Sequence, residues 1–409
     1  MTHIPIILTQ HAEDAAVLWE RRRRAVDAPH YNTMYLARLD EQLEAHLDGL
    51  RIAGAAGWEE AVAAFKEIGG GGEMFTLSTL AFGQDDPALI QSVIELIKAD
   101  PNAFLGPAAS GIGWLHQSKL SGKVSPLLLS DDLIARALGV GGCALHRVDP
   151  GKQLTVFLDD PPGVKRRAVR LAGEIGRVGL LPCIQELCHD TDAETAYWAT
   201  WSAVLLGDRG EALDQLLQIA TGDSAKAQDA LGVALPAMGF EAGCNWLNAQ
   251  PVEATTTKIT GYGILGDAGA VPWLIEQMAD DDLAQIAGES YALITGADLE
   301  KDDLDRDIPD GALDGPNDDP TDDDVDLGAN ENLAWASADH VASHWRGIRA
   351  RFGSGSYILG RPAGVDTWRD CFANGYQRQR RVAATWLAVS EPAAPLGNWK
   401  VPVFRSWPR

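Results

Sequence analysis

An all-α solenoid of paired helices is the fold this sequence predicts, and two observations predict it. An acidic or turn-forming step recurs about every 31 residues, at Asp100, Asp131, Asp160, Asp192, Asp223 and Asp282, with residues 251–253 holding the place between the last two. A helical pattern follows each step, and most are followed by a glycine-bearing turn and a second helical pattern. Sequence periods of this size are the mark of stacked repeats. The second observation is energetic. Ordering ~31 residues costs about 45 kcal/mol at roughly 1.5 kcal/mol each. Offsetting that at about 25 cal/mol per Å² takes on the order of 1,800 Å² of apolar burial. Two short helices in water cannot supply it, so each pair must be covered by its neighbours.

Residues 1–54 read as an N-terminal helical cap, two helices around the turn at residues 28–31 (APHY). Met34, Leu36, Leu39, Leu43, Leu47 and Leu50 form its apolar stripe at helical spacing. Residues 55–299 hold the repeats. The first, near residues 57–82, carries a run of four glycines, Gly69 to Gly72, where later repeats have one. The next pair covers residues 86–96 and 101–115. Two later copies show the unit: residues 160–179 (DPPGVKRRAVRLAGEIGRVG) and 192–210 (DAETAYWATWSAVLLGDRG). Aspartate ahead of a helix can accept its free first-turn amides, and glycine behind it can take the left-handed position that ends it. Val169, Ala172 and Ile175 share one face, as do Ala196, Ala199 and Ala203, and small residues let helices approach closely. Leu213, Leu216 and Leu217 line a return helix.

Residues 300–332 are expected to be an acidic loop or linker. Between 302 and 331 lie twelve aspartates, one glutamate and one arginine, a net of −12 and half of the chain's −24. Residues 333–409 read as a C-terminal helical cap region. It holds six of the thirteen tryptophans, helices near 338–352 and 365–390, and a short extended link at 357–362.

The repeat grammar resembles HEAT repeats, in particular the short bacterial form related to bilin-lyase repeats, over about residues 55–296. A closer resemblance runs through nearly the whole chain. Residues 11–24 (HAEDAAVLWERRRR), 28–31, 39–51 (LDEQLEAHLDGLR), 57–60 (GWEE), 375–380 (GYQRQR) and 402–407 (PVFRSW) are similar to a family of proteobacterial HEAT-repeat proteins of uncharacterised function. Its members are often encoded near type VI secretion genes. That resemblance implies a HEAT-like α-solenoid and a cytoplasmic accessory role around a secreted effector or its spike. It implies no catalytic residues.

Composition bounds the function. The chain has 409 residues, 46% hydrophobic and 22% charged. The first residues lack the basic flank of a signal peptide, and no run of 18 apolar residues is present, so no membrane partner is expected. Five cysteines without paired spacing suit a reducing compartment. A net charge of −24 opposes nucleic-acid binding unless a basic face is segregated, and only short basic clusters occur.

No motif carries chemistry. His340 and His344 are spaced to share a helix face beside Asp339, but no third ligand is evident. Glu186 and His189 make one Glu-x-x-His pair where a di-metal bundle needs two. Asp322, Asp324 and Asp326 alternate as in a calcium loop, but Leu327 and Leu333 stand where glycine and glutamate belong. Gln117 and Val124 spoil a phosphate loop around Lys123, no Gly-x-Ser-x-Gly elbow occurs, and the glycine run reads as a turn. Cys183 and Cys188 are expected to face the core. No catalytic residue, metal or cofactor is therefore expected. The residues assigned to a partner surface are Trp198, Trp201, Trp246 and Trp273, aromatics recurring along the stack, with Arg166 and Arg170 from the basic run that includes Lys165 and Arg167. Filling the core between repeats is the competing reading for the tryptophans, and a solvated face for the basic run. The expected function is a non-enzymatic protein-binding scaffold, an adaptor or chaperone for a type VI effector or spike. The alternatives are an immunity protein that occludes a toxin and an enzyme of the bilin-lyase type.

Overall fold

The computed structural model describes residues 4–309, 328, 330–391 and 393–406. The fold is all-α: among these residues lie 23 α-helices and one two-stranded hairpin. In order they are α1 (Pro5–Ala25), α2 (Thr33–Ala53), α3 (Ala55–Glu67), α4 (Gly71–Gly83), α5 (Pro87–Ala99), α6 (Pro101–Trp114), α7 (Gln117–Leu120), α8 (Val124–Leu128), α9 (Leu133–His146), α10 (Lys152–Phe157), α11 (Pro162–Glu174), α12 (Leu181–Leu187) and α13 (Ala193–Leu205). Then come α14 (Glu211–Ala220), α15 (Ala227–Met238), α16 (Phe240–Asn248), α17 (Thr255–Leu265), α18 (Val271–Gln277), α19 (Asp281–Thr295) and α20 (Ala338–Ile348). The hairpin of β1 (Tyr357–Ile358) and β2 (Arg361–Pro362) precedes α21 (Val365–Asn374), α22 (Gln377–Ser390) and α23 (Val403–Ser406). The chain forms two compact units. One comprises Met1–Asp27, Tyr31–Leu206 and Pro392–Arg409; the other comprises Ala28–His30 and Gly207–Glu391. The break after Leu206 falls inside the 55–299 repeat segment.

In the first unit α1, α4, α6, α9, α11 and α13 pack side by side in that order, while α3, α5, α8 and α12 pack behind them as a second layer. The second unit repeats the plan, with α15, α17 and α19 in a row and α14, α16 and α18 behind. Row helices are apolar nearly all round, as α4 shows by burying Met74, Phe75, Leu77, Leu80 and Phe82. The leucine stripe of α2 is buried from Leu36 to Leu50, but Met34 is 51% exposed because it lies in the first turn, beyond the reach of α1.

Aspartates open the helices, though not always at the positions the period marks. Asp86, Asp100 and Asp192 accept first-turn amides of α5, α6 and α13, each contact being worth about 1 kcal/mol. Beside Asp131 it is Asp132 that caps α9, and Asp280 rather than Asp282 caps α19. Asp160 caps nothing. Pro161 and Pro162 open α11 and remove donors it would have served, and its carboxylate pairs with Arg136 at 2.6 Å. Asp223 lies ahead of α15, whose start has no side-chain cap. Of the four-glycine run, only Gly69 and Gly70 form the turn; Gly71 and Gly72 begin α4.

The rows are joined by one device used twice. Ser202 of α13 donates to the carbonyl of Val169 on α11 at 3.0 Å, and Ser290 of α19 donates to that of Ile259 on α17 at 3.0 Å. Four residues beyond each acceptor stands a glycine. A Cβ on Gly173 would lie 2.5 Å from the Ser202 hydroxyl, and one on Gly263 would lie 2.7 Å from that of Ser290. Glycine is needed there for close approach, since it lets the hydroxyl reach the neighbouring backbone.

Each unit is also stapled at the carboxyl ends of its row helices, where main-chain carbonyls lack helical partners. In the first unit the C-terminal segment serves them. Leu396 donates its amide to Glu174 O at 2.8 Å, Asn398 its amide to Leu145 O at 3.0 Å, and Arg405 its guanidinium to Gly113 O. In the second unit the hairpin does so: Tyr357 N reaches Gly266 O, Leu359 N reaches Leu293 O and Gly360 N reaches Ile294 O, at 2.8 to 3.0 Å. The indole of Trp386 on α22, stacked on Trp368, donates to Ile264 O at 3.0 Å. The extended link expected at 357–362 is this hairpin. The acidic stretch expected at 300–332 lies largely outside the described residues, as do the calcium-loop positions Asp322, Asp324 and Asp326.

Candidate partner-binding surface

At 100° per residue, α11 turns Val164, Ala168, Val169, Leu171, Ala172 and Gly173 into the row and leaves Gly163, Arg166, Arg167 and Arg170 on the remaining arc. The neighbouring α13 carries Tyr197, Trp198 and Trp201 on the matching arc. An arginine ridge therefore runs beside an aromatic ridge within the first unit.

The two ridges touch. The guanidinium of Arg170 lies 4.2 Å from the centroid of the Trp198 ring, a separation at which a cation is held by the ring quadrupole. Trp198 is in turn edge-on to Trp201 at 5.5 Å and to Tyr197 at 5.0 Å. Trp201 is 6% exposed and Trp198 only partly buried. Trp201 therefore fills the core and supports Trp198 as the indole that meets solvent.

Behind the ridge sits Glu174, 3% exposed at the end of α11. One of its oxygens takes Arg147 at 2.5 Å and the other takes Arg170 at 3.0 Å. Arg147 ends α9 in the left-handed conformation, φ 53°, and also donates to Leu396 O. In a non-glycine residue that conformation costs about 1 kcal/mol, and the carboxylate and carbonyl contacts offset it. Burial pushes the Arg147 pKa down despite Glu174. Burial, with Arg166 and Arg170 adding, brings that of Arg167 down to about 10.

Lys165 does not join this face. Its ammonium pairs with Asp190 at 2.8 Å, so the basic run of the sequence divides between a structural ion pair and the ridge. Arg167, Arg147 and Glu174 are the members that spacing alone did not single out. The usable signal was Arg147 standing at a helix end where glycine would serve, a substitution that makes sense only if its side chain is needed.

Trp246 on α16 and Trp273 on α18 belong to the second unit, and both are partly buried. Trp273 lies edge-on to Tyr262 at 5.6 Å, and the Lys258 ammonium sits 5.5 Å from its ring. Tyr262 donates to Asn248 at 2.7 Å, and the Cys244 thiol lies 3.6 Å from an Asp267 oxygen. Burial, reinforced by Asp267, drives the Cys244 pKa up to about 12, so the sulfur is a protonated donor and not a thiolate.

The remaining reactive residue types are placed as follows. Cys188 is buried, but Cys183 is exposed, correcting the expectation that both face the core. In α12 the apolar side is taken by Ile184, and position 183 falls one residue off it. His344 accepts the Tyr291 hydroxyl at 2.7 Å, which ties that imidazole into the α19–α20 contact, whereas His340 is exposed. Among the described residues no group of three or more metal-ligating side chains is placed to hold an ion, and no helix is long and apolar enough to cross a membrane. No family model, curated protein or solved structure matches this chain.

Proposed function

We propose that this protein is a non-enzymatic, cytoplasmic interaction scaffold whose working surface is the arginine–aromatic face of α11 and α13. The carrying observation is the Arg170–Trp198 pair, a partly buried indole held from below by Trp201 and covered by a guanidinium that can be moved aside. Tryptophan and arginine dominate binding energy at protein interfaces, and a pre-oriented indole loses little entropy on contact. A packing account of the strongly shifted groups also supports the reading. Burial raises the Cys143 and Cys371 thiols to about 11 and 12, and burial with Arg405 beside it lowers His146 to about 4. The family resemblance adds the finer reading, an adaptor or chaperone accessory to delivery of a type VI effector or spike protein.

The test is affinity capture from the native host with the full chain as bait, wild type against Trp198→Ala/Arg170→Ala. The expected result is one abundant partner with the wild type, at least tenfold depleted with the variant, and loss of effector secretion when the gene is deleted. Protection against a co-expressed toxin without any secretion defect would replace the adaptor role with immunity. Failure of the wild type to retain any protein would end the scaffold reading.

A further inference from the structure

The charge balance of the ridge says what kind of segment it would hold. In the first unit most buried or partly buried basic groups have a carboxylate at contact distance: Arg22 with Asp40, Arg51 with Glu44, Arg136 with Asp160 and Lys165 with Asp190. The ridge differs. Arg147, Arg166, Arg167 and Arg170 have Glu174 alone among the described residues, so about three positive charges stand together without compensation. Arg167 makes its bond to the Gly163 carbonyl instead of to an acid, and the charges that act on it are those of Arg166 and Arg170. A chain with a net charge of −24 has carboxylates to spare, yet none is placed here.

We propose that the α11–α13 face binds an acidic, aromatic-bearing peptide segment of a partner protein, its carboxylates on Arg166, Arg167 and Arg170 and its apolar side chain against Trp198. This rests on the scaffold reading above and names the chemistry of its partner. Spacing agrees. Arg166 and Arg170 are one helical turn apart, a rise of about 6 Å. Carboxylates two residues apart on an extended strand are about 6.7 Å apart. Guanidinium forks suit carboxylates held in a plane, and the forks of Arg166 and Arg167 are not otherwise taken by an acid. A nucleic-acid duplex is the poorer occupant. It brings a long row of phosphates to a three-charge ridge on a strongly acidic chain, and screening at physiological salt reaches only about 8 Å.

The experiment uses the full chain and a fluorescein-labelled heptapeptide alternating glutamate with tryptophan and glycine, read by fluorescence anisotropy. A peptide with lysine for glutamate and a twelve-residue oligothymidine serve as comparisons. Arg166→Glu/Arg167→Glu should weaken the acidic peptide at least tenfold. Arg21→Glu/Arg24→Glu, on the exposed basic turn of α1, should change it less than twofold. Raising salt from 50 to 500 mM should remove most of the affinity. Circular dichroism of both variants controls for folding. Equal binding by the wild type and Arg166→Glu/Arg167→Glu, equal affinity for oligothymidine, or no peptide binding at 1 mM would each overturn the proposal. The two readings separate in the capture experiment. A native partner retained undiminished by Arg166→Glu/Arg167→Glu sinks the acidic-segment inference and leaves the scaffold standing, while no partner at all sinks the scaffold.

Discussion

Asp40→Asn is the substitution from which most can be learned about how the first unit is closed. Asp40 is 1% exposed and Arg22 is 7% exposed. One Asp40 oxygen accepts from Arg22 Nε at 2.5 Å, and the other accepts from the Val403 amide at 2.7 Å. Arg22 also donates to Lys400 O at 3.2 Å and lies 5.2 Å from the Trp114 ring. One carboxylate therefore ties α1, α2 and the C-terminal segment together. Burial raises the Asp40 pKa, and Arg22 only partly opposes it, so the ion pair does not repay its own desolvation. Breaking it is another matter. Asparagine keeps the shape but presents one amide donor to two donors and leaves a buried guanidinium without its counter-charge. Loss of one partner of a buried pair costs about 3–5 kcal/mol. Because Lys400 O and Trp114 remain, the lower end, about 3 kcal/mol, is expected here. The assay is urea denaturation, with hydrogen exchange of the Val403 amide as a local readout that does not assume both units unfold together. Exchange at Val403 should rise about a hundredfold, since 1.4 kcal/mol is a factor of ten. The double variant Arg22→Met/Asp40→Leu removes both charges and should recover all but about 1 kcal/mol, the cost of leaving the Val403 amide unserved. An Asp40→Asn protein that loses under 1 kcal/mol, with Val403 exchange unchanged, would refute the reasoning.

Three further outcomes follow from the same geometry. Gly173→Ala gains about 1 kcal/mol of helix propensity but forces the Ser202 contact apart at a cost of about 1–3 kcal/mol; thermal melting should show net destabilisation, and adding Ser202→Ala should relieve much of it. His146 donates to Ile112 O from one ring nitrogen and accepts from Arg405 at 2.7 Å on the other, which is the neutral form. Its folded pKa of about 4 lies below the ordinary 6.5, so its contribution is complete above pH 6.5 and is lost as pH falls toward 4. Stability measured at pH 5 should be about 2 kcal/mol below that at pH 7.5 through this group, and His146→Gln should flatten that slope. A thiol reagent at pH 8 should modify Cys183 fast and Cys143, Cys244 and Cys371 slowly, because burial holds those three at about 11 to 12, and peptide mapping of the first-labelled site checks it.

The helices were legible because their signals are local. Asp192 ahead of Ala193 and the 3.6-residue rhythm of Leu36 to Leu50 act within one or two turns, so short windows of sequence reveal them. What joins the helices is not local. Ser202 finds Val169 across 33 residues and Ser290 finds Ile259 across 31. Those separations match the period, yet they surface only when the Gly173–Ser202 and Gly263–Ser290 pairs are set against each other. The C-terminal staple spans far more: Asn398 reaches Leu145 across 253 residues and Val403 reaches Asp40 across 363. No periodicity encodes such contacts. The same limit applies at the candidate surface. Helical spacing placed Arg166 and Arg170 on one face, but that Lys165 would leave it for Asp190, and that Trp201 would sink while Trp198 stayed partly open, depended on neighbouring helices.

The placement of charge connects the staple to the candidate surface. Glu174 is the one residue that serves both. Its main-chain carbonyl takes the amide of Leu396, and its carboxylate holds Arg147 and Arg170. A segment that drew Arg170 off Glu174 would leave that carboxylate to Arg147, which already grips Leu396 O. Binding at the ridge and docking of residues 393–406 therefore meet at a single side chain. The consequence is measurable, because Glu174→Gln leaves the main-chain bond in place while releasing both guanidiniums. Ridge and staple should then uncouple: acidic-peptide affinity should rise as Arg170 gains freedom to pair, and exchange at the Leu396 amide should quicken as Arg147 loosens. If the affinity fell together with the folded stability, Glu174 would be a plain buried ion-pair member, and the ridge would owe nothing to the staple.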